Sequence, residues 1–245
     1  LAGRDGYHAG VHEIAHLHST HRLVKMGMPG EELPRRFTAV LVWTPEGDLY
    51  EMKLLLHICC APCANRPIAA LREEGIELAG FWYNPNIHPY TEYRSRKTCL
   101  EDYAREISLP LVVVNDYGLR QFVQHVADNI DGRCAYCYRV RMEETARYAA
   151  EHGFDSFTTS LLISPYQNHE AICAVARAMG GEYGVEFLYR DFRPLFREGQ
   201  QFARDHGFYM QKYCGCVFSE EDRYLAKKRK KEAERLAAAR QNGPD

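Results

Sequence analysis

The chain has 245 residues, 46% hydrophobic and 26% charged, with a formal net charge of −2. This make-up fits a soluble globular protein with room for one sizeable α/β domain or two small ones. It excludes a membrane-spanning chain, because no apolar run approaches bilayer length, and the near-neutral charge does not mark a bulk polyanion binder.

Residues 1–51 read differently from the rest. They hold five of the eleven histidines and begin at Leu1 rather than Met. Their one strand-like piece is Thr38–Trp43, followed by a Pro-Glu-Gly-Asp turn at 45–48. His12-Glu13-Ile14-Ala15-His16 matches the H-E-x-x-H zinc pattern, but five residues match easily by chance and no protease context follows. Met52 reads as a natural start, so residues 1–51 are expected to be an extension.

From Met52 onward strands and helices alternate. Strands are predicted at Leu54–Ile58, Ile76–Tyr83, Leu111–Val114, Phe154–Thr159 and Val185–Tyr189. Helices are predicted at Asn65–Glu74, Tyr90–Ile107, Gly118–Asp128, Tyr136–His152 and Gln167–Met179. The pattern calls for a parallel sheet covered by helices on both faces, with ligands at the carboxyl ends of the strands. Ser219–Arg240 reads as a charged helix with little apolar face, carrying the five-cation block Lys227–Lys231. Such a block is usually a solvated face and is also able to neutralise phosphates.

Nine cysteines are too few for a disulfide scaffold, and the N-terminus lacks the basic start and apolar core of a secretory signal. In a reducing cytosol, closely spaced cysteines are more often metal ligands or redox thiols. Seven of the nine fall in three clusters. Cys59-Cys60-Ala61-Pro62-Cys63 follows the first strand, where a helix N-terminus favours thiolate over thiol. Cys134-Ala135-Tyr136-Cys137 is a C-x-x-C at a helix start, half of a zinc, iron–sulfur or dithiol site. Cys59 and Cys60 joined with Cys134 and Cys137 make four thiolates, which suit zinc or an iron–sulfur cubane equally. Cys214-Gly215-Cys216 is able to close a strained, labile disulfide or to add metal ligands. Cys99 and Cys173 read as packing thiols. The loops Asn84–Pro89 and Thr158–Asn168 follow strands, and each reads as pocket wall or as ordered turn.

Several runs resemble the QueH type of epoxyqueuosine reductase. They are Met52–Cys63, Tyr83–Pro89, Cys134–Arg139, Thr158–Gln167 and Gln211–Ser219, in order along residues 52–219. The resemblance implies a three-layer α/β sandwich similar to the nucleotide-binding α-hydrolase-like (HUP) fold, followed by the charged C-terminal helix. It implies a catalytic domain at 52–219 between an extension at 1–51 and a basic tail at 220–245. It implies reduction of epoxyqueuosine to queuosine in the tRNA anticodon, in the cytoplasm, fed by an unnamed electron donor. A 4Fe-4S cluster would rest on Cys59, Cys60, Cys134 and Cys137, and Cys214 and Cys216 would be the redox-active pair. Cys63 is the candidate for an additional iron or other divalent ion. Tyr90, Tyr166 or Tyr213 would stack on a base withdrawn from the anticodon. Two functions from other classes compete: a non-catalytic zinc-binding interaction module, and a general thiol–disulfide oxidoreductase using Cys214 and Cys216 alone.

Overall fold

The computed structural model describes residues 41–43 and 49–225, with single positions at 228 and 232. His12, His16 and, apart from Lys228, the Lys227–Lys231 block lie outside the described residues. Strands β1 (Leu41–Trp43) and β2 (Leu49–Glu51) form a separate antiparallel pair.

The main sheet is all-parallel. Its strands are β3 (Lys53–His57), β4 (Glu77–Trp82), β5 (Leu111–Val113), β6 (Ser156–Thr159) and β7 (Glu186–Phe187), in the order β5-β4-β3-β6-β7. The central strand carries Leu54, Leu55 and Leu56, all fully buried. Three consecutive apolar residues mark a strand covered on both faces. The helices are α1 (Ala61–Glu73), α2 (Tyr90–Glu106), α3 (Leu119–Val126), α4 (Arg133–Glu151), α5 (His169–Tyr183) and α6 (Phe196–Asp205). α1 packs on α2 and α6, and α4 packs on α3 and α5, so a helical layer covers each face of the sheet. The expected three-layer sandwich is present. Among the described residues no helix is long and apolar enough to cross a membrane.

Some boundaries differ from expectation. α1 starts at Ala61 rather than Asn65, and α4 at Arg133 rather than Tyr136. Both lack a side-chain cap: Cys60 and Gly132 hold the cap positions and neither gives a side-chain hydrogen bond. The usual Ser, Thr, Asp or Asn start signal is therefore missing from the sequence. The shifts place Cys63 and Cys134 inside helices rather than before them, while Cys137 lies inside α4 as expected. α6 has no counterpart among the predicted elements. The final predicted helix is present over 217–225.

The chain runs outward from β3 to β5 on one side, then returns to β6 on the other. The strand order therefore reverses at β3, and the crevice beyond the carboxyl ends of β3 and β6 is the topological switch point where ligands bind in open α/β sheets. Cys59 and Ser160 lead out of those two strands.

Candidate metal and thiol site

Three thiols converge at the switch point. The Sγ atoms of Cys59, Cys60 and Cys63 all lie within 4.8 Å of one another, and all three residues are buried. The turn from β3 into α1 produces this. Cys60 is extended at the helix cap, Pro62 occupies the first turn, and Cys63 follows three residues after Cys60 on that turn. Proline costs nothing there, since the first helical N–H groups have no partner within the helix. The Ser160 hydroxyl accepts the Cys59 N–H at 3.2 Å and lies 3.6 Å from the Cys59 sulfur, tying β6 to the trio. Bonds from Cys60 and Cys63 hold the Cys59 thiol well below its ordinary range. Burial pushes Cys60 up, and the bond with Cys59 pushes Cys63 up. Cys59 is thus the thiol of the bare trio that gives up its proton most readily, and a bound cation would favour the thiolate form of the other two. Beneath it, His57 is neutral: burial lowers its pKa to about 3. Its ring bridges Thr159 Oγ1 at 2.9 Å and the Tyr83 carbonyl at 3.2 Å.

The other four clustered cysteines form a second group. Cys134 is exposed and Cys137 buried in the first turns of α4, while Cys214 is exposed and Cys216 buried before the final helix. Cys137 and Cys216 share a small apolar cluster with Phe122 and Val126. Burial raises the thiols of both Cys134 and Cys137, the latter to about 12, and the nearby Cys214 and Cys216 raise them further. Cys134 and Cys137 thus stand beside Cys214 and Cys216, a neighbourhood that local spacing does not reveal. All nine cysteines are free thiols. Cys173 is in the main core, and Cys99 packs against it and accepts the Tyr209 N–H.

A cavity of about 320 Å³ joins the two groups, with Cys59, Cys63 and Cys214 in its wall. Two buried arginines, Arg96 and Arg141, line it as well. Gln167 donates to the Cys214 sulfur at 3.2 Å, and its amide is oriented by the Tyr138 hydroxyl, which donates to Oε1 at 2.7 Å. Tyr166 is 86% exposed at this cavity and packs edge-on against Phe196. Tyr213 also lines it, but its hydroxyl is committed to the His88 carbonyl at 2.7 Å. Tyr90 packs with Tyr93 and Tyr117 outside the cavity wall.

The loop Asn84–Pro89 is a clamp on the Cys214–Cys216 segment. The His88 N–H donates to the Gly215 carbonyl at 2.8 Å, and the Val217 N–H donates to His88 Nδ1 at 3.4 Å. His88 Nε2–H in turn donates to the Pro85 carbonyl at 3.0 Å. Arg96 donates to the carbonyls of Cys214 at 2.8 Å and Tyr213 at 3.0 Å. Gly215 runs close to this clamp: a Cβ there would sit 3.4 Å from Ile87 and 3.5 Å from Asn86. Sequence reasoning did not single out Arg96 or Arg141; Gln167 and His88 lie in the two loops it read as pocket wall or ordered turn. The one available signal was spacing: Arg141 lies one turn after Cys137, and Arg96 one turn after Glu92.

The clamp predicts acid sensitivity. Burial lowers the His88 pKa from 6.5 to about 4. Protonation would remove the acceptor that holds Val217. The neutral ring belongs to the folded state, whereas the unfolded ring protonates near 6.5. The stabilisation is therefore complete above that pH and lost as pH falls toward about 4. Denaturant titrations from about pH 7 down to about pH 4.5 should show a declining stability limb. His88→Gln should flatten it in part, leaving the share of His57. An unchanged slope in His88→Gln would refute the role.

Residues 54–222 match the family described as "Epoxyqueuosine reductase QueH". A protein of that name from Dehalococcoides mccartyi is 39% identical over 172 residues, spanning 70% of this chain and 94% of the relative. One from Thermotoga maritima is 35% identical over 191 residues, spanning 74% and 94%. One from Haemophilus influenzae is 34% identical over 180 residues, spanning 69% and 72%.

Proposed function

The chain belongs to the QueH family of epoxyqueuosine reductases and reduces epoxyqueuosine in tRNA queuosine biosynthesis, and from that premise we propose how its thiols divide the work. Cys59, Cys60, Cys134 and Cys137 hold a 4Fe-4S cluster, Cys214 and Cys216 are the redox-active pair, and Cys63 serves a further divalent ion. The observation that supports thiol and metal chemistry here is the buried Cys59/Cys60/Cys63 trio opening on the same cavity as Cys214; the share of Cys134 and Cys137 in the cluster rests on the family resemblance. Soft sulfur donors this close suit iron or zinc, so the residues fit such a group. When bound, the cluster supplies single-electron transfer and Lewis acidity.

The chain's own thiols close the electron balance. Converting the epoxide to an alkene and water consumes two electrons and two protons. Oxidising the Cys214/Cys216 dithiol to a disulfide releases two electrons and two protons. An external donor then reduces the disulfide. Gln167 steadies the Cys214 sulfur, and the clamp of His88 and Arg96 holds the pair at the cavity. The anticodon base enters that cavity, with Tyr166 as the stacking platform and Lys212 and Arg223 in the wall to meet tRNA phosphates. Residues 52–219 are the catalytic unit.

A second ligand assignment has an observation in its favour. Cys63, not Cys134 or Cys137, stands with Cys59 and Cys60. On this reading the trio holds the metal, and Cys134 and Cys137 work with Cys214 and Cys216.

Anaerobic purification with iron and sulfide analysis, followed by assay on epoxyqueuosine-containing tRNA, tests the function. The expected result is a brown protein that reduces the tRNA and loses that activity in Cys134→Ala. A colourless zinc protein without turnover would support an interaction module instead. Turnover of small disulfides surviving Cys59→Ala would support a general oxidoreductase.

A further inference from the structure

Arg141 lies in α4, one turn beyond Cys137, and its side chain is 2% exposed. Its Nε–H donates to the Cys137 carbonyl at 2.9 Å, and a terminal N–H donates to the Cys137 sulfur at 3.0 Å. Among the described residues no carboxylate lies within ion-pair distance of it. The other buried arginine at the cavity, Arg96, has one: Glu92 at 2.7 Å. A guanidinium stays charged in any protein setting, and a buried charge with no counter-ion is strongly disfavoured.

The groups able to carry negative charge toward Arg141 are Cys137, Cys214, Cys59 and Tyr138. Tyr138 is not the counter-ion: its hydroxyl keeps its proton as the donor to Gln167 Oε1 at 2.7 Å. The cysteine sulfurs remain: that of Cys137 is in direct contact with the guanidinium, and Cys59 and Cys214 share the cavity wall with Arg141.

We propose that Arg141 is the fixed counter-charge of the thiolate centre and a positioning residue that sets its reduction potential. The inference rests on the cofactor reading above. A cation held against sulfur stabilises the electron-rich state of the centre more than the oxidised state. Removing the charge must therefore drive the potential downward.

The test compares wild type, Arg141→Gln and Arg141→Lys, each purified anaerobically. Iron content, midpoint potential by mediated titration, and KM for tRNA are measured. Glutamine keeps a donor for the Cys137 sulfur but removes the charge; lysine keeps the charge. Arg141→Gln should retain iron and shift the equilibrium at least tenfold toward the oxidised centre, which is about 59 mV more negative for a one-electron couple. Arg141→Lys should recover most of that shift, and KM for tRNA should stay unchanged. An unmoved potential with a raised KM would overturn the proposal and make Arg141 a substrate-phosphate contact. Equal shifts in both variants would also overturn it, since geometry rather than charge would then govern. If Arg141→Gln does not fold, Arg141→Lys decides: a potential near wild type supports the role, and a tenfold shift refutes it. A wild type without iron sinks the cofactor reading first; an iron-loaded wild type with an insensitive potential sinks this inference alone.

Discussion

Cys60→Ala should purify without its full iron complement and turn over epoxyqueuosine at least about 100-fold more slowly than wild type, because loss of a direct ligand exceeds the 10–100-fold cost of losing an outer partner. The sulfur of Cys60 is nearly inaccessible and sits 3.8 Å from that of Cys59. Burial raises its thiol well above the ordinary range, and a bound cation would favour its thiolate. Both ligand assignments include Cys60, which makes its loss decisive for the site as a whole. Cys63→Ala separates them. If the trio holds the metal, Cys63→Ala loses iron as Cys60→Ala does. If the cluster rests on Cys59, Cys60, Cys134 and Cys137, the cluster survives Cys63→Ala and only a further ion is lost. Iron and sulfide counts on the purified variants, alongside turnover, decide the matter. Full iron and near-normal turnover in Cys60→Ala would remove the trio from the function.

The parts of this site that were legible in the sequence are those set by local spacing. Leu54–Ile58 read as a strand of a parallel sheet, and three cysteines packed into 59–63 just after it announced a thiol site at a strand end. What the sequence concealed depends on chain segments far apart. Cys137 meets Cys216 through an apolar cluster with Phe122 and Val126, and no spacing rule links positions about 80 residues apart. Charged residues in polar helices are ordinarily solvated, so Arg96 and Arg141 carried no mark of burial. The Asn84–Pro89 loop had a pocket reading and a turn reading; the contacts of His88 make it a clamp on the Cys214–Cys216 segment. α6 escaped because its buried positions are few: only Gly199 and Ala203 are fully covered.

Arg96→Met should destabilise the protein by about 3–5 kcal/mol, the usual cost of breaking a buried ion pair from one side. Glu92 would remain buried and charged, with only the Tyr209 hydroxyl donating to it. The carbonyls of Tyr213 and Cys214 would lose their donors at the same time. Stability and function should then part company in the double variant Glu92→Leu/Arg96→Met. Replacing both charges with apolar groups removes the orphaned carboxylate, so urea titrations should recover most of the lost stability. Turnover should not recover, because the double variant keeps only the His88 side of the clamp and the carbonyls of Tyr213 and Cys214 stay without their donor. If turnover returned together with stability, Arg96 would be a core residue without a role in placing the dithiol. If the single variant cost less than about 1 kcal/mol, the Glu92–Arg96 pair would behave as a surface ion pair instead, and its burial would carry no weight.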